Sequence, residues 1–536
     1  MVPTDFVSLC HKATRCTLIA TGPPKWGFLL EGRIRLHSVR SVVGIASSRG
    51  ERLSQIISPP IVPEATLRPL FVDLDGTLVK SDTLIDSLIL LAREHPALLF
   101  ALPGQLLRGR ASLKAFVTSH VSLDVAHLPY NRKLLQFLHE ECARGRAIYL
   151  ATGADLHLAQ SVAAHLGLFA GVLGSDSGVN LTGAKKLDRL RSQLNDGAYD
   201  YIGNDVPDLP LLVHATETMV ADPSLRLRLR LRMRGIRPAR TFDERGFPLF
   251  SILKAIRPLQ WAKNLLVLLP LLLAHIFTIH RLSTALLAFC CFSLVASSAY
   301  VVNDLLDIEV DRRNLQKRLR PFAAGDLSAF TGVAIVVLFL LLAFFGARLL
   351  PVAFSGWLLL YLATTLAYSW SLKRIAIVDV LVLSGLYTLR LLAGSAATQT
   401  HISHWLAGFS VFLFLSLAIA KRFAEMQNHR SSGLAPRNGR GYLVADIEQL
   451  RSFGTASAFA AVVIFAIYIN SSDEFMLYRH SQLLWLIMPL MILWLCRVWL
   501  LASRGELNED PLVFALTDRM SLLIGVAIAA VTVLAI

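Results

Sequence analysis

The chain has 536 residues, 54% of them hydrophobic, with a mean hydropathy of +0.54 and a formal net charge of +15 at pH 7. Those values exclude an ordinary soluble globular protein and put part of the chain in a membrane. Arginines set beside apolar stretches favour anionic lipid and phosphorylated ligands, with no nucleic-acid partner.

Residues 1–65 are basic and acid-poor, broken by Pro23-Pro24 and Pro59-Pro60. They fit a transit peptide, a disordered leader or an over-extended start. The six cysteines, Cys10, Cys16, Cys142, Cys290, Cys291 and Cys496, show no metal spacing and read as free thiols of a reducing compartment. From residue 66 to 225 the composition is that of an α/β domain. Pro69–Asp73, Ala147–Gly153, Tyr199–Gly203 and Glu217–Ala221 read as buried strands, with helical stretches between them. Such alternation predicts a parallel sheet with helices on both faces and reactive groups at the carboxyl ends of its strands. Leu225–Arg234 alternates leucine and arginine like a strand, yet Ser224 before it and Gly235 behind it are helix signals. Either way, residues 226–254 are expected to be a basic juxtamembrane linker, attracted to an anionic leaflet or simply solvated.

From 255 onward the chain is expected to be an all-α membrane domain. Nine spans are predicted near 263–280, 283–303, 329–350, 352–370, 375–394, 404–421, 452–470, 482–502 and 519–536. Charge concentrates in the loops after even-numbered spans, which places those loops and the α/β domain on the cytoplasmic side of the inner (plasma) membrane.

Two stretches carry chemistry. Asp73-Leu-Asp75-Gly-Thr77 sets two acids around one residue at a strand end, so Asp73 is a candidate nucleophile and Asp75 a candidate acid and base, both near magnesium. Asn303-Asp-Leu-Leu-Asp-Ile-Glu-Val-Asp311 places Asp304, Asp307 and Asp311 on one face of a helix. Acids that close repel unless a cation sits among them, and hard oxygen donors suit Mg2+. The following Arg312, Arg313, Lys317, Arg318 and Arg320 would hold a polyphosphate. A solvated, charge-mixed loop is the plainer reading. Arg257–Asn264 opens the first span as either an interfacial anchor or part of a site. Tyr368–Arg374, Asp379 and Lys421-Arg422 lie on the same side, and Arg390 falls within a span, where it either serves a site or snorkels outward.

The Asp73 motif resembles the first motif of the haloacid dehalogenase (HAD) superfamily over about 68–225. The resemblance implies a Rossmann-like fold in which Asp73 is phosphorylated, Asp75 is the acid/base, Thr152 and Lys186 bind phosphate, and Asp205 and Asp208 join Asp73 and Asp75 at magnesium. Asn204 departs from the family's fourth motif, where an acid is usual. Residues 82–144 look like the family's helical cap. Residues 255–536 resemble the UbiA superfamily of intramembrane prenyltransferases through the Asn303–Asp311 motif. The stretch Tyr368–Arg374, basic where a second acidic motif is usual, and RPLQWAKN at 257–264 make the decaprenyl-phosphate phosphoribosyltransferase branch the better match.

That branch implies transfer of 5-phosphoribose from phosphoribosyl pyrophosphate to a polyprenyl phosphate. Asp304 and Asp307 would hold magnesium and pyrophosphate, supported by Asn303 and Asp311. Lys317, Arg320, Tyr368, Lys373, Lys263 and Asn264 would grip phosphates. The fused domain would remove the 5-phosphate. The alternative is prenyl transfer from a polyprenyl diphosphate to an aromatic acceptor, with the HAD-like domain regulatory or acting on another phosphate ester. A lipid-binding scaffold with two inactive sites is a third reading. Oligomeric state stays open.

Overall fold

The computed structural model describes residues 67–175, 180–275, 277–432, 441–471, 478–507 and 511–536, and the expected leader, 1–65, lies outside them. Of the two compact units of the chain, Met1–Glu64 and Ala65–Ile536, the second holds all described residues.

Its first part contains strands β1 (Leu70–Val72), β2 (Ile148–Asp155), β3 (Gly171–Ser175), β4 (Asp200–Gly203), β5 (Thr218–Ala221) and β6 (Arg240–Phe242). They pair in parallel in the order β3-β2-β1-β4-β5-β6. β1 is central, with Leu70 opposite Ile148 on one side and Asp200 on the other. All three of its residues are buried, as a parallel strand covered on both faces requires. The chain runs outward from β1 to β3 and then returns to β4. The β1/β4 boundary is therefore the switch point at which loops diverge and leave a crevice.

Three main helices lie between β1 and β2: α1 (Thr83–Glu94), α2 (Arg110–His120) and α3 (Arg132–Ala143). Asp82 and Asn131 cap α1 and α3 by accepting from Leu84 N and Leu134 N, each at 3.0 Å. Leu134, Phe137 and Leu138 of α3 pack into the core with Val72 and Ile148, so α3 is the β1–β2 crossover. The stretch 82–144, expected to be a cap, is therefore not one unit: α3 belongs to the core of the sheet.

The sheet also reaches past the expected boundary at 225. Helix α4 (Leu225–Met233) follows Ser224, whose Oγ accepts from Leu227 N at 3.1 Å. Leu227 and Leu231, one turn apart, pack with Phe71, Tyr201 and Val220. With β6 beyond it, most of the expected 226–254 linker belongs to the sheet. What remains is α5 (Pro248–Ile256), which exposes Phe247, Leu249, Phe250 and Leu253, an apolar face suited to a headgroup boundary.

The second part is helical: α6 (Ile279–Leu306), α7 (Ile308–Arg313), α8 (Ala329–Ala347), α9 (Val352–Trp370), α10 (Val378–Thr398), α11 (His404–Ser432), α12 (Ile447–Ile469), α13 (Ile487–Ser503) and α14 (Arg519–Ala535). Among the described residues, seven helices are long and apolar enough to cross a membrane, against the nine spans expected. The predicted first span is instead a 3₁₀ stretch, Pro258–Val267, and a five-residue helix, Leu269–Leu273. Pro258 and Pro270 each withhold a backbone donor there. A Cβ on Gly394 would sit 2.1 Å from the Val267 carbonyl oxygen, so that bare backbone lets the irregular segment press against α10. The predicted ninth span, α14, has only 17 residues. By contrast α6 has 28 residues, roughly 42 Å of helix, and carries its acidic end beyond a ~30 Å hydrocarbon layer. Val333, Val337, Leu341 and Phe345 form an outward apolar stripe on α8 at one-turn spacing.

The α/β and helical parts meet along α1. Ile89 packs on a cluster of Val301, Leu305, Ile308, Phe322 and Leu327. Arg312 pairs with Asp86 at 2.8 Å and donates to Ser81 Oγ at 3.0 Å and to the Ala323 carbonyl at 3.2 Å. Gly325, at φ +74°, would place a Cβ 2.7 Å from Lys80 Cβ. Since Arg312 and Asp86 are both buried, Arg312→Ala strands a carboxylate and should cost roughly 3–5 kcal/mol at this junction. The thermal midpoint in detergent should fall and proteolysis near 243–257 should rise, whereas the double change Asp86→Leu/Arg312→Met should recover most of the loss. A single variant no worse than the double one would refute this account.

Candidate active sites

The last turn of α6 carries Asn303 and Asp304, Asp307 caps the helix, and α7 restarts at Ile308. This break at Asp307 separates the three acids that helical spacing would align. Both oxygens of Asp304 accept from Arg257 Nη2, at 2.6 and 2.7 Å, and Oδ1 also accepts from Arg320 Nη1 at 3.1 Å. Arg257 holds a left-handed φ of +52°, uncommon outside glycine, in making that contact. Asp311 accepts from Arg320 Nη1 at 2.7 Å; burial, opposed by Arg320, lifts its carboxyl above the usual range. Asp307 turns elsewhere. Its Oδ2 accepts from Lys373 Nζ at 2.7 Å, the same ammonium donates to Asn303 Oδ1 at 3.0 Å, and Arg93 of α1 comes within 3.6 Å of Oδ1.

These groups border a cavity of about 430 Å³. Its lining holds eight cations, Arg257, Lys263, Lys317, Arg320, Lys373, Arg390, Lys421 and Arg422, against the single carboxylate of Asp307. Asn303, Tyr300, Tyr361, Tyr368 and Tyr387 also line it, with Leu383, Leu386 and Leu417 for apolar surface. Such a chamber accommodates several phosphates beside a hydrocarbon chain.

Arg390 is buried and points inward: it donates to Asn264 Oδ1 at 2.9 Å and Tyr361 OH at 2.8 Å, with its guanidinium 4.8 Å from the Tyr361 ring centre. Outward snorkelling is thereby ruled out. Asn264, expected at the phosphates, is fully buried between Arg390 and Ser293 and positions the arginine instead. Asp304 and Asp311 likewise stand behind the lining. Lys263, Lys317, Arg320, Tyr368 and Lys373, expected at the phosphates, line the cavity. Tyr368 OH donates to Asp379 at 2.7 Å, and Asp379 is also held by Arg422. Arg93 was not foreseen, because no local pattern joins it to a motif more than 200 residues away.

The second site lies at the β1/β4 switch point. Lys186 Nζ donates to Asp73 Oδ1 at 2.8 Å, Asp208 Oδ1 at 3.1 Å and Tyr201 OH at 3.1 Å. A Cβ on Gly203 would overlap the Asp208 side chain, so glycine is what admits the carboxylate there. Burial alone would lower the Lys186 ammonium, but the charges of Asp73, Tyr201 and Asp208 hold it well above its usual range. Burial and then the Asp208 charge push the Asp73 carboxyl to about 6 against the pull of Lys186. Burial and then Asp82 push Asp75 to about 7, although its Oδ1 accepts from Thr83 N at 2.8 Å.

Asp208, expected at a metal, has Oδ1 taken by Lys186 and Tyr201 and Oδ2 facing backbone N–H groups, so it acts as the lysine's counter-ion. Thr152 is fully buried with Oγ accepting from Ala154 N at 3.0 Å, and its neighbour Gly153 lines the cavity instead. Asp205 accepts from Ser224 at 2.6 Å. The cavity, about 540 Å³, is bordered by Asp73, Asp75, Lys186, Asn204, Asp205 and Asp208. Among the described residues, no three His, Cys, Asp or Glu side chains are grouped to hold a metal. Magnesium commonly takes one or two carboxylates and completes its shell with water and phosphate. Asn303 Oδ1 and Asp307 Oδ2 converge on the Lys373 ammonium, where a cation could take its place, and Asp73 and Asp205 both border the α/β cavity.

Residues 265–524 match the model of the UbiA prenyltransferase family. An uncharacterised Sinorhizobium fredii protein, y4nM, is 36% identical over 469 residues, 87% of this chain and 91% of that protein. A stretch that long takes in both the α/β and helical parts. The decaprenyl-phosphate phosphoribosyltransferase of Mycobacterium tuberculosis is 33% identical over 282 residues, 52% of this chain and 91% of that enzyme. A UbiA homologue from Archaeoglobus fulgidus, solved with GPP and Mg2+, overlays 53% of this chain and 99% of its own at 19% identity and a TM-score of 0.41.

The raised carboxyls of the α/β site have a signed consequence. Between the unfolded value of 3.8 and about 7 the folded protein binds the Asp75 proton more tightly, so stability declines as pH rises through that window. In EDTA at pH 8, Asp75→Asn should therefore stabilise the fold by something on the order of a few kcal/mol, and at pH 4 it should not. Thermal unfolding at both pH values measures this, and equal effects would contradict the burial of that charge.

Proposed function

The chain belongs to the UbiA prenyltransferase family and is an integral membrane transferase, and from that premise we propose a two-step reaction. The membrane domain transfers 5-phosphoribose from phosphoribosyl pyrophosphate to a polyprenyl phosphate, and the α/β domain, as a HAD-type phosphatase, removes the 5-phosphate of the product. The observation that carries this reading is the eight-to-one excess of cations around the membrane cavity. A lone diphosphate needs few of them. A donor with a 5-phosphate and a pyrophosphate, beside a lipid phosphate, engages most of those not already held by Asp307, Asp379 or Glu425.

In the first step Arg257, Lys317 and Arg320 hold the pyrophosphate while Lys263 and Arg390 hold the other phosphates. The lipid phosphate oxygen bonds to the anomeric carbon as the bond from that carbon to pyrophosphate breaks, and the pyrophosphate leaves. Asn303 and Asp307, with Asp304 behind them, would hold magnesium, which when bound offsets charge developing on the leaving group. In the second step an Asp73 oxygen attacks the 5-phosphorus, and Asp75 delivers its proton to the departing 5-oxygen. Water then attacks the aspartyl phosphate, returns a proton to Asp75 and frees phosphate. Asp73 and Asp205 would hold magnesium here. Lys186 offsets charge on the phosphoryl oxygens. Both sites lie on the cytoplasmic side of the inner (plasma) membrane in this reading, by the charge of the loops.

Purified protein with magnesium, labelled phosphoribosyl pyrophosphate and decaprenyl phosphate should give lipid-linked pentose and pyrophosphate. Asp307→Asn should slow transfer about 10²-fold or more, and Asp73→Asn should leave transfer intact while the phosphorylated lipid accumulates. Absence of both products would overturn the transfer step, and activity with an isoprenyl diphosphate plus hydroxybenzoate would favour the prenyl-transfer reading. An unchanged product ratio in Asp73→Asn would remove the phosphatase.

A further inference from the structure

One wall of the α/β cavity does not come from the α/β domain. Ile308, Phe322, Leu327 and Ala329 line it, and they belong to the segment joining the first two long membrane helices, α6 and α8. Ala329 is the first residue of α8, so the cavity adjoins the end of a membrane-crossing helix. The segment closes the cavity with aliphatic and aromatic carbon: Ile308, Phe322 and Leu327 are buried in the packed cluster behind, and Ala329 is half-buried at the cavity edge. Leu84, Ile85 and Leu113 add apolar surface from the α/β side. Arg110 and Arg245, also in the lining, supply charge for a second anionic group away from Lys186.

The same segment sends Lys317 and Arg320 into the membrane cavity. It is fixed against the α/β domain by the buried Arg312–Asp86 pair and by the close approach of Gly325 to Lys80. A water-soluble sugar phosphate could use the charged end but would leave the half-buried carbon of Leu84, Ile85, Leu113 and Ala329 uncovered. An amphiphile with a terminal phosphomonoester, an inner phosphodiester and an apolar chain matches all three parts.

We propose that the α/β site acts on a phosphomonoester carried by an isoprenoid-type lipid delivered from the bilayer, and that the 308–329 segment of the membrane domain is its specificity wall. This rests on the phosphatase reading above. The product of the first step is such a molecule, so one segment would serve as a side of both reaction chambers.

The test uses the full chain in detergent with magnesium and follows phosphate release from two 5-phosphoribosyl-1-phosphate esters, methyl and geranyl, with p-nitrophenyl phosphate alongside. The geranyl ester should exceed the methyl ester by ~10-fold or more in kcat/KM, because only it covers the apolar wall. Ala329→Asp, which sets a charge in that wall, should shrink the ratio. Equal kcat/KM for the two esters, with Asp73-dependent release from both, would overturn the proposal and leave the phosphatase reading standing. A ratio unchanged in a folded Ala329→Asp protein would also overturn it. No Asp73-dependent release from any of the three compounds would sink the phosphatase reading, and the proposal with it.

Discussion

Gathering cations inside a membrane protein is the constraint to which the rest of this structure answers. A guanidinium taken out of water and left unpaired costs several kcal/mol, and of the four arginines around the membrane cavity Arg390 and Arg422 are buried and Arg257 and Arg320 partly so. The remedy is a ring of partners set behind the lining. Asp304 holds Arg257 and Arg320, Asp379 and Glu425 hold Arg422, and Asn264 with two tyrosine rings holds Arg390. The aspartates of the motif at 303–311 therefore have a counter-ion role as well as any role toward a metal. An incoming polyphosphate competes with these carboxylates for the same guanidinium groups. Unless a divalent cation accompanies it, the displaced carboxylates face phosphate oxygens at close range. Donor and magnesium are thus expected to bind together.

The α/β site solves the same problem with one lysine. Lys186 lies between Asp73, Asp208 and Tyr201, and its charge keeps two buried carboxylates from repelling one another unopposed. The sheet supplies the geometry: β1 and β4 end side by side, so groups far apart in sequence meet without a long loop. Gly203 permits the approach of Asp208, and Gly76, at φ +75°, permits that of Asn204. Asn204 fills that space, and it borders the cavity together with Asp205.

Much of this was legible in the sequence, because short motifs carry chemistry that does not depend on their surroundings. Residues of Asp73–Thr77 and of Asn303–Asp311 each border a cavity, and four of six strands were readable from their apolar runs. β3 escaped because Gly171 and Gly174 dilute its pattern, and β6 because three residues beginning Arg240-Thr241 show no period. The first predicted span failed where hydropathy is blind to backbone: Pro270 interrupts it, and Gly394 accepts the irregular segment. Side-chain roles were the hardest to foresee. Asn264, Asp304 and Asp208 all look like ligand groups in sequence, yet each is committed to a neighbouring cation whose position only tertiary packing sets. Arg93 had no local signal at all.

The buried pair between Arg312 and Asp86 bears on the heredity of the chain as much as on its folding. Each partner is neutralised by a residue from the other half, so while both halves are kept, a change at either position leaves the other charge buried and unpaired. Positions 86 and 312 are therefore expected to vary together in two-part relatives, either both ionic or both apolar. Where the halves are separated, Arg312 returns to water and the constraint lifts.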